Sequence, residues 1–188
     1  MNKINQFFKA NGKGLFLVLR YGLAKVAEWQ SQVIHDELTG LYNRRFIQEA
    51  GKKELAKAFR YEWKGISYPL SIIRIDVDNF KRVNDEEGHL AGDKVLQQVA
   101  ALLEKVCRES DIVGRTGGDE FTILLPDTTE EGAQVLMAKL KKIAKEELVS
   151  PKGKPIELSC GLAAKFSLAA LEEEADVKMY QEKKSKGG

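Results

Sequence analysis

The stretch Arg115-Thr116-Gly117-Gly118-Asp119-Glu120-Phe121 decides the fold, because it separates two apolar runs, 111–116 and 121–125, that read as β-strands. Two consecutive glycines between such runs signal a hairpin turn, since both turn positions can take φ > 0 without a Cβ penalty. Two acids follow the glycines directly, at the mouth of an otherwise apolar strand, where folding gains nothing from carboxylates. A second acidic pair supplies a chemical reason. Residues 70–76 form a strand that ends in Asp76-Val77-Asp78. If it pairs with the hairpin, Asp76 and Asp119 converge. Two bare carboxylates about 4 Å apart repel by roughly 4 kcal/mol at an effective dielectric near 20, so the pair calls for a divalent cation. Hard oxygen donors select magnesium or manganese.

Working outward, an irregular segment runs from 77 to 92, and a helix over 93–108 carries an apolar face of Val95, Leu96, Val99, Leu102, Leu103 and Val106. After the hairpin come a helix over 129–148, a turn over 150–155, a strand over 156–163 and a last helix over 168–184. Upstream, the polar break 35–45 separates two helices. Asn43 is positioned to cap the helix running to residue 61, and Asp36 reads as a structural acid paired with Arg44 or Arg45. The element order is βαββαβ with added helices. This is an α+β fold of the ferredoxin-like type, a central antiparallel sheet flanked by helices. In that topology the end of the first strand lies beside the start of the third, so convergence of Asp76 with Asp119 and Glu120 follows from the element order.

Residues 1–34 carry a helical pattern in which Phe16, Leu19, Leu23, Val26, Gln30 and Val33 alternate at spacings of three and four. This N-terminal extension reads either as a dimerising stalk or as a helix lying on its own domain. The expected division is residues 1–34 as this helix and 35–188 as the catalytic domain.

Composition narrows the function. The 188 residues are 43% hydrophobic, enough for one sizeable core. Charged residues make up 31% but cancel to a net +2, so no global footprint for nucleic acid exists. The longest N-terminal apolar run, 15–19, has five residues, against the roughly 20 that a membrane helix needs, so no span is expected. Cys107 and Cys160 lack metal-ligand spacing and read as buried free thiols of a reducing, cytoplasmic compartment.

Four motifs in order carry a family resemblance: Asp-Glu-Leu-Thr-Gly-Leu-Tyr-Asn-Arg-Arg at 36–45, Asp-Val-Asp-Asn-Phe-Lys-Arg-Val-Asn-Asp at 76–85, Gly-His-Leu-Ala-Gly-Asp at 88–93, and Arg-Thr-Gly-Gly-Asp-Glu-Phe at 115–121. The chain resembles the GGDEF-domain diguanylate cyclases, whose palm-like fold is shared with nucleotide cyclases and polymerases. The resemblance implies a magnesium- or manganese-dependent homodimer, with two metals per active site, that joins two GTP molecules into cyclic di-GMP. It implies metal binding by the side chains of Asp76 and Asp119 and the carbonyl of Val77. Asp119 is implied as acceptor of the 3′-hydroxyl proton, and Glu120 as essential. Asn79, Phe80, Lys81 and Lys183 are implied to hold the phosphates, and Asn84, His89 and Asp93 to contact substrate. An ionised Asp93 suits the adjacent N1–H and N2–H₂ donors of guanine, which adenine lacks. Arg108 and Asp111 match the family's product-binding inhibitory site. Where the family carries an arginine after the last helix, this chain has Gly187, and Lys184 and Lys186 are the nearest cations. The competing reading is a degenerate module that binds GTP or cyclic di-GMP as a sensor without turnover.

Overall fold

In the computed structural model, residues 34–164 and 168–186 are described. The expected N-terminal helix over 1–34 lies, but for Ile34, outside the described residues. The elements are β1 (Tyr42–Asn43), α1 (Arg44–Trp63), β2 (Leu70–Val77), α2 (Phe80–Glu87), α3 (His89–Val106), β3 (Ile112–Arg115), β4 (Glu120–Pro126), α4 (Glu130–Glu147), β5 (Leu158–Ala164) and α5 (Leu168–Ser185). The sheet runs β1-β3-β4-β2-β5. Strand β2 is antiparallel to both β4 and β5, β3 and β4 form the hairpin, and β1 joins β3 in parallel. Apart from the two-residue β1, this is the expected ferredoxin-like order.

Both faces of the sheet are covered, which is why β2 and β4 read as near-continuous apolar runs. Odd-numbered residues of the central strands (Ile73, Ile75, Val77, Phe121, Ile123, Leu125) pack with α3 and α4 through Val95, Leu96, Val99, Leu103, Ala133 and Leu140. Even-numbered Ile72 and Leu124 pack on the opposite face with Ile47 and Ala50 of α1 and Ala175 of α5. Period-two alternation thus assigns each side chain to one of two cores. Asn43 caps α1 as expected, its Oδ1 accepting from the Phe46 N–H at 3.0 Å.

Three expectations are corrected. Residues 80–87 are helical where an irregular segment was expected. Asn79 adopts φ 57°, turning the chain from β2 directly into α2, and Gly88 at φ 89° ends α2 and starts α3. Only Val83 of α2 is buried, so the apolar periodicity that betrays a helix is missing there. The Gly117-Gly118 turn does not use φ > 0, since neither residue is among the positive-φ glycines. Four residues connect β3 and β4, a length served by turns with ordinary φ. The glycines serve close approach instead: a Cβ on Gly117 would lie 2.7 Å from Glu120 Oε2. Finally, Asp36 pairs not with Arg44 or Arg45 but with Arg115, at 3.1 Å. The hairpin brings Arg115 back over the 36–40 turn, a long-range contact that proximity in sequence cannot indicate.

Candidate active site

The site forms at one end of the sheet. Register pairs Asp76 on β2 with Glu120 on β4. The 116–119 loop is tied to β2 where the Val77 N–H donates to the Asp119 carbonyl at 3.2 Å. From the other side, Arg115 donates to the Gly118 carbonyl through Nε at 3.1 Å and Nη2 at 2.7 Å, and is itself held by Asp36. Asp36 accepts from both the Thr39 N–H and hydroxyl. Burial acts to raise its pKa, but the Thr39 hydroxyl and the Arg115 guanidinium hold it below its ordinary value. The 36–40 turn is therefore a buttress for the loop that carries Asp119.

Asp76 is 6% exposed. Burial pushes its pKa up, and the Asp119 and Asp78 carboxylates add to this, against the opposing ammonium of Lys183 at 2.5 Å. Lys183 experiences the converse: burial acts to lower its pKa, but Asp76, Asp119 and Asp78 more than offset it and the net shift is upward. Asp78 is also buried. It accepts from Ser159 Oγ at 2.6 Å and from Lys186 Nζ at 2.9 Å. Lys186 further donates to the Leu158 carbonyl at 2.8 Å, which places the C-terminal end of α5 against the acids.

Among the described residues, no group of three or more His, Cys, Asp or Glu side chains is arranged for a metal. The expected donor set is smaller, two carboxylates and the Val77 carbonyl, and its chemistry fits a hard cation. Burial raises the Asp76 pKa, the neighbouring Asp119 and Asp78 add to it, and a cationic ammonium answers them. That is the electrostatic signature of a place that requires positive charge.

A second cluster lies between α2 and α3. A Cβ on Gly92 would fall 2.1 Å from Asn84 Oδ1 and 3.1 Å from the Phe80 ring. Glycine at 92 thus lets the Asn84 amide and Phe80 lie directly over the first turns of α3, beside Asp93, which is half-buried. Asn79 and Lys81 occupy the entry to α2, where the first N–H groups of a helix lack intrahelical partners. His89 is exposed at the start of α3. Arg108 and Asp111 are not brought into this cluster. They follow the far end of α3, an 18-residue helix and so about 27 Å long. There the Arg108 N–H donates to Asp111 Oδ2 at 2.7 Å, and both residues line a cavity of about 300 Å³ with His35, Leu41, Tyr42 and Cys107.

Sequence reasoning missed Arg74. It lies mid-strand on β2, its side chain 13% exposed, and donates to Asp176 Oδ1 at 2.7 Å, Thr122 Oγ1 at 2.8 Å, Thr116 Oγ1 at 3.2 Å and Glu120 Oε2 at 3.2 Å. Its signal was available: an arginine inside Ile72-Ile73-Arg74-Ile75 cannot be left unpaired in a strand buried on both faces.

Residues 33–188 match the family model described as diguanylate cyclase, GGDEF domain. The chain is 37% identical over 161 residues to the diguanylate cyclase DgcP of Pseudomonas aeruginosa, covering 83% of this chain and 23% of that protein. It is 38% identical over 130 residues to the diguanylate cyclase DosC of Escherichia coli K12, covering 69% and 27%. The chain therefore spans about a quarter of the length of these curated relatives. Among solved structures, the GGDEF domain of DgcB from Caulobacter crescentus in complex with c-di-GMP superposes with a TM-score of 0.73 at 25% identity, covering 81% of this chain and 91% of that one.

Proposed function

The chain belongs to the diguanylate cyclase GGDEF-domain family, and from that premise we propose that it condenses two GTP molecules into cyclic di-GMP with release of two pyrophosphates. The observation that carries this reading is the meeting of Asp76 and Asp119 at one sheet end, with Asn84 of α2 lying against Gly92 of α3, next in the chain to Asp93. In the proposed reaction each 3′-hydroxyl oxygen bonds to the α-phosphorus of the other nucleotide. The bond from that phosphorus to the bridging oxygen breaks, and pyrophosphate leaves in line. Asp119 accepts the hydroxyl proton. Asp76, Asp119 and the Val77 carbonyl would hold the divalent cations, magnesium or manganese and two per site, which when bound neutralise charge on the attacking and leaving oxygens.

The remaining residues bind and orient. Asp93 and Asn84 read the guanine edge, and His89 contacts the nucleotide from the exposed start of α3. The N–H groups around Asn79 and Phe80, together with Lys81, hold the phosphates. Lys183 is the counter-charge of Asp76 in the free protein and turns to the triphosphate when metal and nucleotide arrive. Because each protomer holds one GTP, turnover requires a homodimer. Arg108 and Asp111 form a separate product-binding site for feedback inhibition, with the cavity beside them as the receiving surface. Calorimetric titration with cyclic di-GMP is expected to lose this binding in Arg108→Ala. No helix among the described residues is long and apolar enough to cross a membrane, and the proposed site of action is the cytoplasm.

The sensor without turnover is not favoured, because the chain keeps Asp76, Asp119 and Asp93 and its relatives are named diguanylate cyclases. Asp119→Ala separates the two readings through pyrophosphate release from GTP. An enzyme loses release by at least about a hundredfold on losing its base and metal ligand. A scaffold that only binds nucleotide would show no release in either form.

A further inference from the structure

Resting on the cyclase reading, we propose that Arg74 is the positioning residue of the active site and that Glu120 acts through it, as the ion-pair partner that fixes the Asp119 loop, not as a metal ligand or base. The argument begins with strand geometry. Successive side chains of a strand point to opposite faces, and on β4 Phe121 and Ile123 enter the α3/α4 core. Glu120 and Thr122 therefore point to the α1/α5 face, where the guanidinium of Arg74 meets them at 3.2 and 2.8 Å. Glu120 is committed there: Oε2 accepts from Arg74 Nη2 and sits close over Gly117, where any side chain would displace it.

A guanidinium offers five N–H donors in a fixed plane. Arg74 spends them on four partners in three segments of the chain. Thr116 begins the loop that carries Asp119; Thr122 and Glu120 lie on β4; Asp176 lies on α5. The two threonine hydroxyls are joined at 2.9 Å, so the loop and strand are locked to each other and to the arginine. Arg74 stands two residues before Asp76 on the same face of β2. Asp176 stands seven residues, two helical turns, before Lys183 on the same face of α5. One cation thus references the metal-binding strand, the Asp119 loop and the lysine helix to a common point. Removing Arg74 takes the shared donor from Thr116, Thr122 and Glu120, and removing Glu120 breaks one of the two ion pairs of a guanidinium only 13% exposed. Either change loosens the loop without touching a reacting atom.

The test uses the whole chain as Glu120→Gln, Arg74→Gln, the double variant, and Asp119→Asn for comparison. Mn²⁺ binding in the presence of a non-hydrolysable GTP analogue is followed by electron paramagnetic resonance, and GTP kinetics are measured below the melting temperature of every variant. Expected are Mn²⁺ affinity within about twofold of wild type in Glu120→Gln and a loss of about tenfold or more in Asp119→Asn. In the kinetics, kcat falls about tenfold or more with KM nearly unchanged in both single variants, and the double variant loses no more than the worse single. A tenfold loss of Mn²⁺ affinity in Glu120→Gln would make Glu120 a ligand and overturn the proposal. So would multiplicative losses in the double variant, or variants that melt earlier yet keep wild-type kcat. If the wild type forms no dinucleotide, the cyclase reading fails, while the Mn²⁺ comparison still decides the role of Glu120.

Discussion

Substituting Gly161 by alanine tests how closely α5 is seated on the sheet. A Cβ at 161 would lie 1.7 Å from the Ala175 carbonyl oxygen and 2.5 Å from the Met179 nitrogen. Both are backbone atoms of α5, so no rotamer change relieves the clash. Ordinary contact requires the helix to move outward by about 1.5 Å, against the β5 and β2 strands it covers. Overpacking costs about 1–3 kcal/mol when side chains can adjust, and rigid backbone places this case at about 3 kcal/mol. For a domain of this size each kcal/mol lowers the melting temperature by about 2–4 °C, so Gly161→Ala is expected to melt about 6–12 °C below wild type. Gly118→Ala is the control, since a Cβ there meets nothing within 4 Å and φ is not positive; its melting temperature should match wild type. Thermal unfolding by circular dichroism with urea titration reads both. Gly161→Ala melting within about 2 °C of wild type would refute the close helix–sheet seating, and with it the placement of Lys183 against Asp76.

The Asp36 buttress carries a pH signature. Its folded pKa lies below the ordinary 3.8, so its stabilisation is fully present above that value and is lost as pH falls through the folded pKa. Asp36→Ala should cost about 1–2 kcal/mol at neutral pH, discounted for partial exposure, and the difference from wild type in urea titrations should close below about pH 4. Burial pushes both thiols, Cys107 and Cys160, up to about 12. Iodoacetamide at about pH 8 should therefore alkylate the native protein about a thousandfold more slowly than the urea-unfolded chain, followed by mass spectrometry. Asp93→Ala should narrow the preference for GTP over ATP by about 10–100-fold in kcat/KM, because a paired-acceptor contact contributes about 1–3 kcal/mol of base discrimination.

The fold was legible because its signals were redundant. The apolar faces of α3 and α4, the Asn43 cap and the strand pairs each pointed to one topology, and that topology brought Asp76 beside the Asp119 loop. Helix α2 was not legible, because its burial rests on Val83 alone and its start depends on a left-handed Asn79, which no periodicity encodes. Arg74 was hidden by the same two-sided burial that makes β2 easy to recognise as a strand: an apolar run draws attention away from the one charge inside it. The Asp36–Arg115 and Asp78–Lys186 pairs span 79 and 108 residues. Such contacts emerge only once the hairpin and α5 are in place, and local charge pattern suggests nearer partners instead. The turn glycines show a further limit: two glycines in a row signal a tight place without saying whether the need is a positive φ or room for a neighbouring carboxylate.

The most direct test of the account is to incubate the purified chain at several concentrations with GTP and Mg²⁺, separate the nucleotides by chromatography and identify them by mass spectrometry. The account predicts cyclic di-GMP with two pyrophosphates per dinucleotide, formation that rises more steeply than protein concentration while dimers are sparse, and none in Asp119→Ala. Recovery of unchanged GTP at every concentration, from a folded protein that still binds the nucleotide, would contradict it.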